Sequence, residues 1–452
     1  MDVSSAETMS MRRSRLKEAF VRERPQLPEL RLPHAIAYSI GGQLGYVISQ
    51  MLVLTALARF RGTEAVGEFG LALALTTPAF MFVNMGGKSS QASDITHRYS
   101  FAEYAGLVIS TAILAAIAAI CAGLLFARTE EALVIIIVVA STKVVESIST
   151  LSYGAFQQAG RVDKVALSLL FRGMLTVGLF VLFLWLGFST AFAFFAQLMV
   201  WSVMAIVRDY PLASHMADGK FVWPSRDWRR ILKLARETAP LGASYLVNSL
   251  QVSLPRLFVE QAVGISAVGL LTVVNYFQQA GQMIFTAMSQ VIVNRFARLR
   301  QRNSHRTLRR TLKALFLFIT AASALGLLLA SVAGEWVLIH IFGREFGPAK
   351  GLLVLVAIAM SAKLYGVIPQ SLLHAERRFG TFLVRELVTV GACAAFLAVF
   401  VPLWGLMGAG YAIVATGIFR LLIMCFATAI WQRRTQVPQD PIVVAADAEA
   451  TS

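Results

Sequence analysis

The residues of this sequence that could do chemistry are charges set inside long apolar runs. Lys143 and Glu146 stand three apart in the middle of one run, and Lys363 and Arg420 lie deep within two others. Arg256 and Glu260 form an i,i+4 couple near the end of a further run. A charge in hydrocarbon costs a few kcal/mol or more, so each needs a partner or a purpose. Fixed Lys and Arg side chains in a protected cavity suit an anionic substrate. Lys143, Arg256, Lys363 and Arg420 are therefore the candidate substrate-binding cations. The competing reading makes Lys143–Glu146 a self-neutralising buried pair and Arg256–Glu260 a snorkelling surface salt bridge. Glu146 is the one carboxylate that the hydropathy puts at depth. It is the first candidate to carry H+ or Na+, with Glu260 second.

A polar stripe accompanies these charges. Asn275, Gln278, Gln279, Gln282, Thr286 and Ser289 recur at helical spacing along one face of an otherwise apolar run. Such a stripe either lines a wet passage or hydrogen-bonds to neighbouring helices, and its length favours the passage. Ser39, Gln43, Tyr46 and Gln50 repeat the pattern more thinly. Pro78, Pro255 and Pro369 fall inside runs, where each frees a backbone carbonyl and kinks its helix. Arg172, Arg385 and Glu386 read as snorkelling or interfacial charges. Cys121, Cys393 and Cys425 read as small buried hydrophobes, since no CxxC or Cys/His spacing supports a metal site or a disulfide framework.

The elements that must position these residues follow from composition. Of 452 residues, 57% are apolar and only 15% charged. Soluble domains carry about 25% charged residues, so an ordinary soluble enzyme is excluded. Apolar stretches cover 35–58, 66–86, 104–126, 132–152, 165–187, 189–207, 239–262, 267–292, 314–333, 350–373, 382–401 and 406–431. Each is long enough to cross a ~30 Å hydrocarbon core as a helix. The sequence thus predicts an all-α integral membrane protein of about twelve spans.

The net charge of +16 is strongly sided. Twelve spans put both termini and the even-numbered loops on one side, with 30 Lys and Arg residues against 5 on the other. The positive-inside rule makes the rich side cytoplasmic. Arg295–Lys313 then contacts lipid headgroups and fixes topology, and no nucleic-acid partner is expected. Residues 1–34 form a basic cytoplasmic segment, too polar and long for a signal peptide. Its Met11–Arg24 stretch is either a helix lying on an anionic leaflet or a disordered tail. Residues 432–452 read as a disordered cytoplasmic tail.

The chain also repeats itself. Ala65-Val66-Gly67 and Ala267-Val268-Gly269 each open a new apolar run after a short polar break. Ala159-Gly160-Arg161 and Ala375-Glu376-Arg377 each follow the fourth run of their half. Two six-helix halves result, an N-lobe over 35–207 and a C-lobe over 239–431, joined by a cytoplasmic linker at 208–238. Arg226–Arg236 in the linker reads as a short amphipathic surface helix. Six is even, so the halves insert in parallel, with a site expected between them.

Four segments carry a family resemblance. Ser253–Phe277 (SLPRLFVEQAVGISAVGLLTVVNYF), Leu57–Ala72 (LARFRGTEAVGEFGLA), Phe342–Leu353 (FGREFGPAKGLL) and Val401–Ala412 (VPLWGLMGAGYA) stand in order along the chain. They resemble motifs of the polysaccharide flippase branch of the multidrug/oligosaccharidyl-lipid/polysaccharide exporter superfamily. Arg256 keeps that branch's helix-7 arginine, while Leu270 replaces its usual aromatic. The resemblance implies two six-helix lobes around a central cavity. It implies movement of an oligosaccharide on undecaprenyl pyrophosphate from the inner to the outer leaflet of the bacterial cytoplasmic membrane. The product would feed O-antigen, capsule or exopolysaccharide assembly, with a polymerase and export machinery as partners. The deep cations would then meet the pyrophosphate, and Tyr46, Tyr245 and Tyr276 would stack on sugars or serve as packing and belt aromatics.

Two rivals follow from the same residues. A cation-coupled drug antiporter of the superfamily leans on an acidic residue in its first helix, and the first run here has none. A membrane glycosyltransferase or polymerase needs paired carboxylates and sizeable outer loops, and the outer loops here are short. The chain therefore reads as a non-enzyme without a cofactor. It has no GxxxxGK[ST] signature, which leaves an ion gradient or downstream consumption as the drive.

Overall fold

We describe the protein from a computed structural model, which describes residues 32–84, 90–94, 98–279, 281, 305–366 and 379–435. Among these residues the regular structure is helical. The first two spans are one 52-residue helix, Leu32–Val83, broken at Gly62. We name its arms α1 (32–61) and α2 (63–83). Gly62 has φ 77, a conformation that L-residues with a Cβ avoid, so the chain turns back there. The last two spans repeat the device: Phe379–Thr435 breaks at Gly405, φ 55, into α11 (379–404) and α12 (406–435). Between them run α3 (Phe101–Phe126), α4 (Glu130–Gln158), α5 (Val162–Trp185) and α6, which starts at Thr190–Val203. Then follow α7 (Trp228–Ala262), α8 (265–279), α9 (His305–Val332) and α10 (Lys350–Tyr365). The described residues thus hold twelve long helical arms, with shorter helices at Ser90–Ser93, Tyr210–Asp218 and Gly334–Phe342. Eight helical segments are long and apolar enough to cross a membrane, two of them long enough for two spans each.

The helix starts are written locally. Ser100 caps α3 and Glu103 closes a reciprocal capping box with it. Thr129 and Ser189 cap α4 and α6 in the same manner, each accepting from a backbone N–H of the first turn. Outward faces such as Ile113, Leu114, Ile117 and Leu124 of α3 are exposed and apolar, as lipid-facing surfaces must be. Cys121 and Cys425 also lie on exposed helix faces, and only Cys393 is buried. Apolar surroundings in sequence do not distinguish a lipid face from a core.

Two features differ from the hydropathy reading. First, α6 continues past residue 207 through a π-helical stretch, Met204–Asp209, and a further helix, Tyr210–Asp218. Second, Arg226–Arg236 is not a separate surface helix. Its residues from Trp228 onward are the first turns of α7, continuous into the membrane span. Ile231 and Leu234 bury themselves among Phe101, Tyr104 and Phe156 of the N-lobe. Arg230 pairs with Glu103 at 2.8 Å and Arg98 with Glu237 at 3.0 Å. The base of α7 is therefore held by N-lobe residues although most of the helix belongs to the C-lobe.

The lobes meet directly at the end that carries the α1–α2 and α7–α8 turns. The two Ala-Val-Gly repeats cross there: a Cβ on Gly67 would strike the Ile265 carbonyl, and one on Gly269 would strike the Thr63 carbonyl. The repeat found in sequence is thus a reciprocal backbone contact between α2 and α8, which only glycine permits. Arg59 donates to the carbonyls of His340 and Ile341, and the Thr63 N–H donates to Glu345. Arg128, before α4, pairs with Glu260 of α7 at 2.7 Å.

Candidate functional site

The C-lobe encloses a cavity between five helices. Gln251, Val252 and Pro255 of α7, Asn275 and Gln278 of α8, Lys363 of α10, Cys393 of α11, and Ile413, Thr416, Gly417 and Arg420 of α12 line it. Two of the sequence-predicted cations, Lys363 and Arg420, are brought together here, with Asn275 and Gln278 beside them. Arg420 is not free: its Nη2 donates to Glu386 Oε1 at 2.8 Å. The other oxygen of Glu386 accepts from Gln251 Nε2 at 2.8 Å. Glu386 is only 1% exposed. Lys363 is half-buried and has no hydrogen-bond or ion-pair partner among the described residues. Asn275 is buried, and its amide nitrogen likewise lacks a partner. Arg385 lies within electrostatic range of Glu386 and Arg420. The cavity thus holds an excess of positive charge and unused donors in a place shielded from bulk water, where such groups act most strongly on an anion.

The N-lobe holds a second charged group. Lys143 and Glu146 of α4 form the i,i+3 pair at 2.7 Å, each about a quarter exposed. The Tyr46 hydroxyl faces Glu146. Arg172 of α5 lies 3.8 Å over the Trp201 ring and is 1% exposed. The Nε and Nη1 atoms of Arg172 have no hydrogen-bond partner among the described residues. Asp209, fully buried, accepts from Ser168 at 2.7 Å and pairs with Arg208 at 2.8 Å, while Ser168 also meets the Tyr153 hydroxyl at 2.9 Å.

Several expectations are corrected by this arrangement. Arg256 and Glu260 do not pair. Glu260 turns to Arg128, because the outer seam places that cation across from it. Arg256 is 5% exposed, lies near Tyr276 and leaves its Nε without a partner among the described residues. Lys143 does not share the cavity of Lys363 and Arg420, since it sits on the other lobe and is neutralised by Glu146. Arg172 does not snorkel: it is the largest fully buried side chain described. Glu386 is no bystander at the interface. Helix α11 starts at Phe379, which puts Glu386 about 10 Å along its axis. Glu146 is not the only deep carboxylate, because Glu386 and Asp209 are buried as well. Glu68 is also buried, near the outer end of α2, where it accepts from Thr129 at 3.0 Å.

The polar stripe of α8 divides. Asn275 and Gln278 are buried and line the cavity, while Gln279 is exposed. Gln282, Thr286, Ser289 and Pro369 lie outside the described residues, as do Ala375–Arg377 of the second repeat pair. Tyr46 packs against Trp201 with ring centroids 6.3 Å apart.

Helix order, parallel six-helix halves and charged groups inside them define a multi-pass membrane protein of two-lobe, twelve-helix transporter fold. Solved structures share it. A multidrug resistance MATE family transporter of the MOP superfamily, in an inward-facing conformation, superposes with a TM-score of 0.67 at 15% identity, covering 88% of this chain and 96% of its own. The lipid II flippase MurJ, in an inward closed conformation, gives a TM-score of 0.67 at 13% identity, covering 87% of each chain. The chain belongs to the polysaccharide biosynthesis protein family, whose pattern matches residues 34–300. A capsular polysaccharide biosynthesis protein, CapF of Staphylococcus aureus, is 22% identical over 373 residues, 81% of this chain and 91% of that one.

Proposed function

We propose that this protein is a flippase for a lipid-linked oligosaccharide, carried on undecaprenyl pyrophosphate. It moves its substrate from the inner to the outer leaflet of the bacterial cytoplasmic membrane by alternating access of its two lobes. The glycan feeds O-antigen, capsule or exopolysaccharide assembly, and a polymerase and export machinery take over the product. The observation that carries this reading is the C-lobe cavity, where Lys363, Arg420 and Asn275, whose amide nitrogen has no partner among the described residues, face one shielded space. Two cations at that depth serve an anionic headgroup and would repel the cationic drug of an antiporter. Family membership and the capsular relative support polysaccharide as the cargo. The charge asymmetry puts both termini in the cytoplasm. Glu146, paired with Lys143, is the proposed site of H+ or Na+ coupling, with Glu260 second.

Deletion of the gene should make one lipid-linked oligosaccharide accumulate in the inner leaflet, and its mass spectrum identifies the glycan. Wild-type protein should restore export. Lys363→Ala and Arg420→Ala should insert normally and fail to restore it. Near-normal export by both variants would remove the cavity assignment. Gradient-dependent export by Glu146→Gln would remove the coupling role. A cytoplasmic location for a label at Arg344 would reverse the orientation.

A further inference from the structure

We propose that Glu386 is a built-in stand-in for the substrate's phosphate, holding Arg420 while the cavity is empty and yielding it when the pyrophosphate enters. The inference rests on the flippase reading above and deepens it.

Three observations carry it. The first is geometric. Glu386 offers two oxygens in a plane, one to Arg420 Nη2 and one to Gln251 Nε2, each at 2.8 Å. A guanidinium fork accepts a carboxylate or a phosphate in the same manner. Exchange of one oxyanion for the other keeps Arg420 paired throughout, while Gln251 and the nearby Arg385 remain to Glu386. The second is spatial. With the Glu386–Arg420 pair formed, the cavity has room for only about one or two water molecules. A phosphate exceeds that room, so lining side chains must move to admit one, and Arg420 is among them. The third is electrostatic. Among the described residues, Lys363, Arg385 and Arg420 lie within electrostatic range of one carboxylate, Glu386, and the Nδ2 of Asn275 has no hydrogen-bond partner. A pyrophosphate diester, with one negative charge on each phosphate, takes up both the surplus cation and the arginine that Glu386 releases.

This arrangement makes Glu386 a specificity determinant. A neutral glycolipid cannot displace a carboxylate from Arg420, and a monophosphate competes less well than a pyrophosphate. It also links occupancy to helix position. Gln251, Glu386 and Arg420 tie α7, α11 and α12 together, so release of Arg420 unties α12 from the α7–α11 pair. When the substrate leaves, Glu386 recaptures Arg420 and drives the last contact off.

The test uses the full-length protein in nanodiscs with farnesyl pyrophosphate, farnesyl monophosphate and farnesol as probes, read by titration calorimetry, beside export in cells. Wild type should bind the pyrophosphate best and farnesol not at all. Glu386→Gln should tighten pyrophosphate binding about tenfold and narrow the preference over monophosphate, while export slows because nothing displaces the ligand. Should Glu386→Gln fail to fold, Gln251→Leu keeps the carboxylate but removes its second anchor, and should tighten binding severalfold. Unchanged or weaker binding in both variants overturns the inference. If Arg420→Ala abolishes binding while Glu386→Gln and Gln251→Leu match wild type, the cavity stands and the stand-in role falls. If wild type binds no pyrophosphate, the flippase reading of the cavity falls, and the inference with it.

Discussion

The two lobes carry charge in contrasting ways. In the N-lobe the charges close on one another: Lys143 on Glu146, Arg208 on Asp209, and Arg172 on the Trp201 ring between them. In the C-lobe one carboxylate, Glu386, serves Arg420 and Gln251 together, and Lys363 is left over. A self-paired cluster has little to offer a ligand, because each cation already has its anion. A cluster with a surplus cation and an unused amide has an opening for one. Halves of similar helix order thus differ in what their charges leave open, which fits the proposal that the C-lobe cations meet the substrate while the paired Glu146 serves coupling.

Four substitutions can break or sharpen this contrast. Arg172→Met should cost the most stability, about 3 kcal/mol or more, because it removes the buried cation stacked on Trp201 and leaves Glu146 and Asp209 with one countercharge each, Lys143 and Arg208, in an apolar interior. The melting temperature in detergent should fall, while export per folded molecule stays close to wild type. Preserved stability with lost export would move Arg172 into the substrate path. Lys363→Met should do the opposite. Loss of a charge-assisted contact of about 1.5–3 kcal/mol lowers export ~10–100-fold, and removal of an unpaired buried charge leaves the melting temperature unchanged or raised.

The remaining two address the seam between the lobes. Gly269→Val should force α8 away from the Thr63 carbonyl, at a cost of about 1–3 kcal/mol for overpacking. A cysteine at Ile265 should then react faster with a membrane-impermeant maleimide; no change in rate would mean that the seam is not a closed outer gate. Arg128→Lys should have the smallest effect. It keeps a countercharge for the buried Glu260 from a largely exposed position, so the change is under about 1 kcal/mol, and only a slight rise in the same labelling rate is expected.

Much of the fold was legible along the chain. Twelve apolar runs became twelve helical arms, and the breaks at Gly62 and Gly405 fall between predicted spans. The Ala-Val-Gly repeat marked the place where α2 and α8 cross. The site was legible in part. Lys363, Arg420, Asn275 and Gln278 were named from depth and spacing, and they do line one cavity. Glu386 and Asp209 were passed over because each stands near the end of an apolar run, where a charge usually reaches water. Helices longer than their apolar runs bury both. Arg256 and Glu260 were paired by i,i+4 spacing, yet a cation 132 positions away in sequence, Arg128, takes the glutamate.

The sequence by itself determined depth. Hydropathy counts residues along a helix axis, and a rise of ~1.5 Å per residue turns that count into a position across the bilayer. It therefore marked the spans, the repeat and the charges nearest the middle of a span, such as Lys363 and Arg420. Only the tertiary structure decided azimuth, meaning which neighbour each side chain faces. Arg420 and Glu386 come from consecutive helices, Arg128 and Glu260 from opposite lobes, and in both cases packing brings the pair within 2.8 Å. Whether a buried charge is neutralised or left to meet a substrate depends on that second coordinate.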